Sequence, residues 1–140
     1  MISLIYLLTA FQTPVSGWDI FENTRYEWQY IEEMEREADL PIFDDEIKAL
    51  EGTEILLTGY YLPFQIEGNR IILSKLPYAA CFFCGGDAGL ESVAEIQFKI
   101  DPPKFMLDEM VTVKGNLKLN EREYGHLIFI LEEATVVFTR

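Results

Sequence analysis

Two phrases constrain this chain more than any other part of it, "LEGTEILLTGYYLP" and "DEMVTVKGNLKLN". Each is a strand-like alternation interrupted by a glycine, Gly59 in the first and Gly115 in the second. In the second phrase a period of two puts Val111, Val113, Gly115, Leu117 and Leu119 on one face and Thr112, Lys114, Asn116 and Lys118 on the other. A glycine inside a strand marks a bulge, a tight bend or the close approach of another backbone. Two such bends predict strands that coil around a small barrel.

The neighbouring segments supply the remaining strands. "TEILLTGYYLPF" is β-branched and aromatic, and a turn at Glu67-Gly68-Asn69 leads into "RIILS" as the second arm of a hairpin. "SVAEIQFKI" predicts Ala94, Ile96, Phe98 and Ile100 inward, with Glu95, Gln97 and Lys99 outward. After the break at Pro102-Pro103 comes the Gly115 strand, and "HLIFILEEATVVF" is long and apolar enough to close the sheet, buried on much of both faces. The fold class is therefore mainly β, a small five-stranded Greek-key barrel of the OB type.

With 49% hydrophobic and 14% aromatic residues, 140 residues bury one core but hardly two. The formal charge of −13 is concentrated between Asp19 and Glu51, where only Arg25, Arg36 and Lys48 offset the acids. Such a field repels phosphate backbones and anionic membrane surfaces. Nucleic acid is excluded as a partner, and a protein or a small ligand is expected instead.

The chain divides into residues 1–17, an acidic segment 18–52 and a barrel 53–140, with 18–140 forming one globular unit. "MISLIYLLTAFQTPVSG" is free of charged side chains and apolar from Ile2 to Phe11, too short for the roughly 20 residues of a spanning helix. With Val15 and Gly17 before Trp18 it reads as a signal peptide without a basic n-region, which implies export to a periplasmic or extracellular compartment. The alternative is a buried first element of the domain. In the acidic segment, Phe21, Tyr26, Trp28, Tyr30, Ile31 and Met34 suggest a short strand followed by a helix. Glu32, Glu33, Glu35 and Glu37 lack the Asp/Asn and glycine pattern of a calcium loop and read as a solvated helix face. "DDEIKALEG" has the Asp cap and terminal Gly52 of a short helix.

Both cysteines, Cys81 and Cys84, lie in "ACFFCGGDAG" between the second and third barrel strands. A two-residue spacer followed by Gly85 and Gly86 allows both sulfurs to turn toward one ion, as in a zinc knuckle, and a Cys pair also suits copper(I). A closed site would need His126 and a carboxylate such as Asp87 or Glu91. A thiol redox enzyme would need a helix after the motif, which Gly85, Gly86 and Gly89 oppose. The third reading is architectural, a disulfide or two packed thiols. His126 itself reads as a hydrogen-bonded residue at a strand start. Tyr60, Tyr61, Phe64 and Tyr78 are candidate aromatics of a binding face. No phosphate loop, zinc-protease helix or serine elbow occurs.

The combination of "ALEGTEILLTGYYLPF", "ILSKLPYAACFFCGGDAGLESVAEIQFK" and "VTVKGNLKLNE" resembles a family of uncharacterised exported bacterial proteins with an OB-like barrel and a Cys-Phe-Phe-Cys-Gly-Gly loop, a domain of unknown function. The resemblance covers residues 18–138 and implies the fold and the compartment but no activity. The expected function is an exported binding or accessory module, metal-handling through the cysteine loop. The runner-up is a structural or protein-interaction domain whose acidic segment docks a basic partner and whose cysteines are architectural. In fluorescence anisotropy with labelled single-stranded DNA and RNA at physiological salt we expect no binding; micromolar affinity that weakens with added salt would contradict the charge argument.

Overall fold

The structure, a computed structural model, describes residues 17–64, 66–81 and 88–140. The expected signal peptide up to Ser16, and Cys84, Gly85, Gly86 and Asp87 of the cysteine loop, lie outside the described residues. The order is α1 (Gly17–Phe21), β1 (Arg25–Ile31), β2 (Arg36–Ile42), α2 (Asp45–Leu50), β3 (Glu54–Leu62), β4 (Arg70–Ser74), β5 (Val93–Phe98), β6 (Met110–Leu119) and β7 (Phe129–Thr139). No described helix is long and apolar enough to cross a membrane.

β3 to β7 form a closed barrel in the order β3-β4-β5-β7-β6, with β5 and β7 parallel and the other pairs antiparallel. This is the five-stranded arrangement of an OB-like barrel. Closure depends on β3, whose residues from Glu54 to Tyr60 pair with β6 while Tyr60 to Leu62 pair with β4. At the switch sits Gly59, where a β-carbon would lie 2.8 Å from the Ser74 carbonyl oxygen and 3.0 Å from the Trp18 ring. Gly115 allows a similar approach, with the Glu132 carbonyl oxygen at 3.0 Å from its absent β-carbon. β7 bends next to it at Glu133, whose φ of 51° accompanies a register shift against β6.

The barrel interior takes Leu57, Ile71, Leu73, Ala94, Ile96, Phe98, Val111, Val113, Leu117, Phe129, Leu131 and Ala134. Its end is plugged by residues that precede the barrel in sequence. Phe21 of α1 stacks on Phe129 at 3.8 Å, Phe43 approaches the same ring at 5.6 Å, and Trp18 donates its indole hydrogen to the Thr58 carbonyl at 2.7 Å. Ile47 of α2 joins them, fully buried. The Asp44 carboxylate caps α2 by accepting from the Ile47 amide at 2.8 Å, and Gly52 follows with φ of 78°, as the sequence predicts.

Two expectations are corrected. Ile100 is 73% exposed, because β5 ends at Phe98 and the chain turns away toward Pro102. The acidic run is not a helix face: it forms the turn of the β1–β2 hairpin, a single 3-10 turn over Glu32–Met34 ended by Glu35 in the left-handed region, with β2 continuing from Arg36. Tyr26 ties this hairpin to the barrel by donating to Glu91 Oε2 at 2.7 Å.

Substituting Gly59→Ala would drive a methyl group onto the Ser74 carbonyl, which belongs to the backbone and cannot rotate away. We expect a loss of about 1–3 kcal/mol, read as a lower denaturation midpoint in urea. Gly68→Ala provides the control, since its β-carbon would meet no atom within 4 Å and only its φ of 76° opposes the change.

Candidate functional site

Alternation along β5 sends Ala94, Ile96 and Phe98 into the barrel and Val93, Glu95 and Gln97 outward. An outward glutamate ordinarily meets water, yet Glu95 is 2% exposed. A second apolar cluster on the outside of the barrel covers it: Leu62, Ile72, Cys81 and Val93, with Phe64, Ile66, Leu90 and Leu127 packed around them. Three connections converge there, β3–β4 with Phe64 and Ile66, β4–β5 with Cys81 and Leu90, and β6–β7 with Leu127.

A buried carboxylate is tolerated when it is paired and hydrogen-bonded. Glu95 Oε1 accepts from Arg70 Nη1 at 3.0 Å, Gln97 Nε2 at 3.0 Å and His126 Nδ1 at 2.9 Å, and Oε2 accepts from the Leu127 amide at 3.2 Å. Burial by itself raises the Glu95 carboxyl, but the hydrogen bonds from Gln97, His126, Arg70 and Leu127 outweigh it and hold the group below the usual carboxylate range. With a carboxylate facing Nδ1, the hydrogen of the imidazole sits on that nitrogen, and Nε2 points toward Glu123 Oε1 at 3.8 Å.

His126 is delivered to Glu95 by the loop after β6, which Asn120 organises from inside. Its side-chain oxygen accepts from the Glu123 amide at 2.7 Å, and its amide group donates to the Glu123 carbonyl at 3.0 Å and the Leu127 carbonyl at 3.2 Å. Gly125, with φ of 84°, makes the turn. The result is a cavity of about 340 Å³ lined by Phe64, Ile66, Ile72, Glu95, Gly125, His126 and Leu127. A larger one of about 460 Å³ opens at the other end of β3, beside Gly17, Ile20, Leu50 and Ile55. Its carboxylates, Glu46 and Glu54, have no ion-pair partner among the described residues.

The candidate residues read from sequence are dispersed around this site. Cys81 is buried in the outer cluster and is disulfide-bonded. Glu91 is committed to Tyr26, whose phenol is pushed well above its ordinary range by burial and by the Glu91 carboxylate. The Gly89 carbonyl accepts from the Ser92 hydroxyl at 2.6 Å and amide at 3.0 Å, closing the turn before β5. His126 answers to Glu95, and among the described residues no group of three His, Cys, Asp or Glu is placed to share a metal ion. Phe64 lines the cavity and stacks on Tyr78 at 6.4 Å. Tyr61 instead packs on the core and on Phe105 at 5.4 Å, and Tyr60 occupies the point where β3 changes partners. Comparison with protein-family models, curated proteins and solved structures finds no match for the chain.

Sequence reasoning passed over Glu95, Arg70 and Asn120. Glu95 and Gln97 look like the wet face of an alternating strand, and nothing local shows that a loop 25 or more positions away covers them.

The depressed Glu95 carboxyl contributes stability that is present above its unfolded value near 4.5 and is lost as pH falls toward the folded value. Glu95→Gln removes that contribution and leaves Arg70 and His126 without their anion. We expect it to cost about 2–3 kcal/mol at neutral pH. The gap between the variant and the unaltered protein should narrow as pH falls below about 4. Thermal melts across pH check both; a gap that stays constant to pH 3 would contradict the assignment.

Proposed function

We propose that this chain is an exported OB-like binding module whose ligand sits in the cavity between the β3–β4 and β6–β7 loops. The observation that carries the reading is position. The cavity lies over β4 and β5 between those two loops, the face on which OB barrels bind their ligands. Its chemistry narrows the ligand class. Phe64, Ile66, Ile72 and Leu127 give apolar walls, and His126, held by Glu95, gives one oriented polar group. A volume of about 340 Å³ is at the lower end of small-molecule sites. It fits a neutral apolar or aromatic group with a single polar end, either a small molecule or one side chain of a polypeptide. The negative field disfavours anionic ligands.

In this reading the cysteine loop is architectural. Cys81 packs against Leu62, Ile72 and Val93, behind the cavity wall, and its disulfide-bonded state supports an oxidising compartment. Cys84 is the other cysteine of the chain and its natural partner. A thiolate site for zinc or copper has less support, because its described candidate donors are engaged elsewhere: Cys81 in a disulfide, Glu91 with Tyr26 and His126 with Glu95.

Titration with neutral aromatic fragments such as indole and phenol, followed by amide NMR, tests the site. Shifts are expected to cluster at Ile66, Ile72, Gly125, His126 and Leu127; shifts clustered instead at Gly17, Ile20 and Ile55 would move the site to the other cavity. The same protein is expected to show no free thiol and to lose about 2 kcal/mol on reduction. Cys81→Ser, Cys84→Ser and the double variant should be equally affected. Chelator-sensitive melting of the unaltered protein would restore the metal reading.

A further inference from the structure

The β1–β2 hairpin stands apart from the barrel sheet, and its register decides what its outer face presents. Residues paired across an antiparallel ladder project to the same side. Trp28 is opposite Asp39 and Tyr30 is opposite Glu37, so these four side chains share one face, along with Tyr26 and Pro41 at its barrel end. The two cations of the hairpin, Arg25 and Arg36, are paired with Ile42 and Ile31 and project from the opposite side. Trp28 is 70% exposed and Tyr30 61%, and Glu37 and Asp39 are exposed beside them. The adjoining turn adds Glu32, Glu33 and Glu35, all exposed.

Large aromatic rings in water at two successive positions of one strand face are not explained by core packing, since the core contacts of this hairpin come through Tyr26 and Leu40 near its base. Each ring has a carboxylate directly across the ladder. A cation above a ring face is attracted by the ring quadrupole, and a neighbouring carboxylate adds a charge-assisted hydrogen bond. Trp28 and Tyr30 are two residues apart on a strand, about 7 Å, which is also the spacing of alternate side chains in an extended peptide. A second copy of this chain would bring like charge against like, given a formal charge of −13.

From this arrangement we infer that the outer face of the β1–β2 hairpin docks an extended basic polypeptide segment carrying Arg or Lys at alternate positions. This surface is separate from the cavity beside His126 and goes beyond the reading of that site. The peptide lies along β1, its alternate cations over Trp28 and Tyr30 and against Asp39 and Glu37.

The probe is a fluorescein-labelled Arg-Thr-Arg-Thr-Arg-Thr-Arg peptide, titrated into the full chain at physiological salt. Trp28→Ala, Tyr30→Ala and Asp39→Asn are each expected to weaken binding about two- to fivefold, while Glu54→Gln on the barrel leaves it unchanged. Iodide quenching provides a readout without mutation: Trp18 is buried, so quenching reports Trp28 and should fall when peptide is added. Binding that Trp28→Ala leaves unchanged, or that Glu54→Gln weakens as much as Asp39→Asn, would reduce the effect to net charge and overturn the proposal. Undiminished iodide quenching at saturating peptide would do the same. Loss of Trp28 quenching with a neutral oligosaccharide but not with the peptide would assign the face to a sugar and also overturn it. Failure of aromatic fragments at the His126 cavity would leave these outcomes untouched.

Discussion

The barrel exists because one strand serves two neighbours. β3 lies against β6 for most of its length and against β4 at its end, and the change of partner falls at Gly59 and Tyr60. Only a residue without a β-carbon lets β3 cross so near the Ser74 carbonyl and the Trp18 ring. Everything else follows from that crossing. It leaves a closed interior that must be filled, and it turns the outer surface of β4 and β5 into a face that loops from both sides can reach.

The filling of the interior shows how the acidic N-terminal segment earns its place in the fold. The β5–β6 connection forms no helix, and α1 with Phe43 and Ile47 closes the barrel end in its stead. Segment and barrel are thus joined through the stack of Phe21 on Phe129 and again at Tyr26 and Glu91. On the outside, burial of Glu95 fixes the position of the β6–β7 loop. A carboxylate removed from water must keep Arg70, His126 and the Leu127 amide within reach, so the loop carrying two of those donors has little freedom to leave.

The strands were legible in the sequence because a period of two survives wherever one face is wet and the other dry, as in Met110–Leu119. Glycines in two of those strands made the closed form legible as well. The hairpin was not legible, because Tyr26, Trp28 and Tyr30 alternate with Glu27, Gln29 and Ile31, and the aromatic side is the one that faces water at its outer end. Its turn is a run of glutamates, which have good helix propensity, and pairing with β2 overrides that propensity. Of the residues that line the site, only His126 and Phe64 were legible. Glu95 and Arg70 become a site when residues from three loops cover them, and coverage by distant segments leaves no mark on the local pattern.

The stack of Phe21 on Phe129 also has a kinetic meaning. It joins the first described helix to the last strand, and the parallel β5–β7 pairing likewise needs β7 in place. Contacts that span most of a chain form late and make folding slow. A chain emerging from synthesis therefore holds a barrel lacking both its closing strand and the ring that seats its plug. Until β7 is made, β5 and β6 keep the open edges that β7 later covers, and such edges invite pairing with other chains.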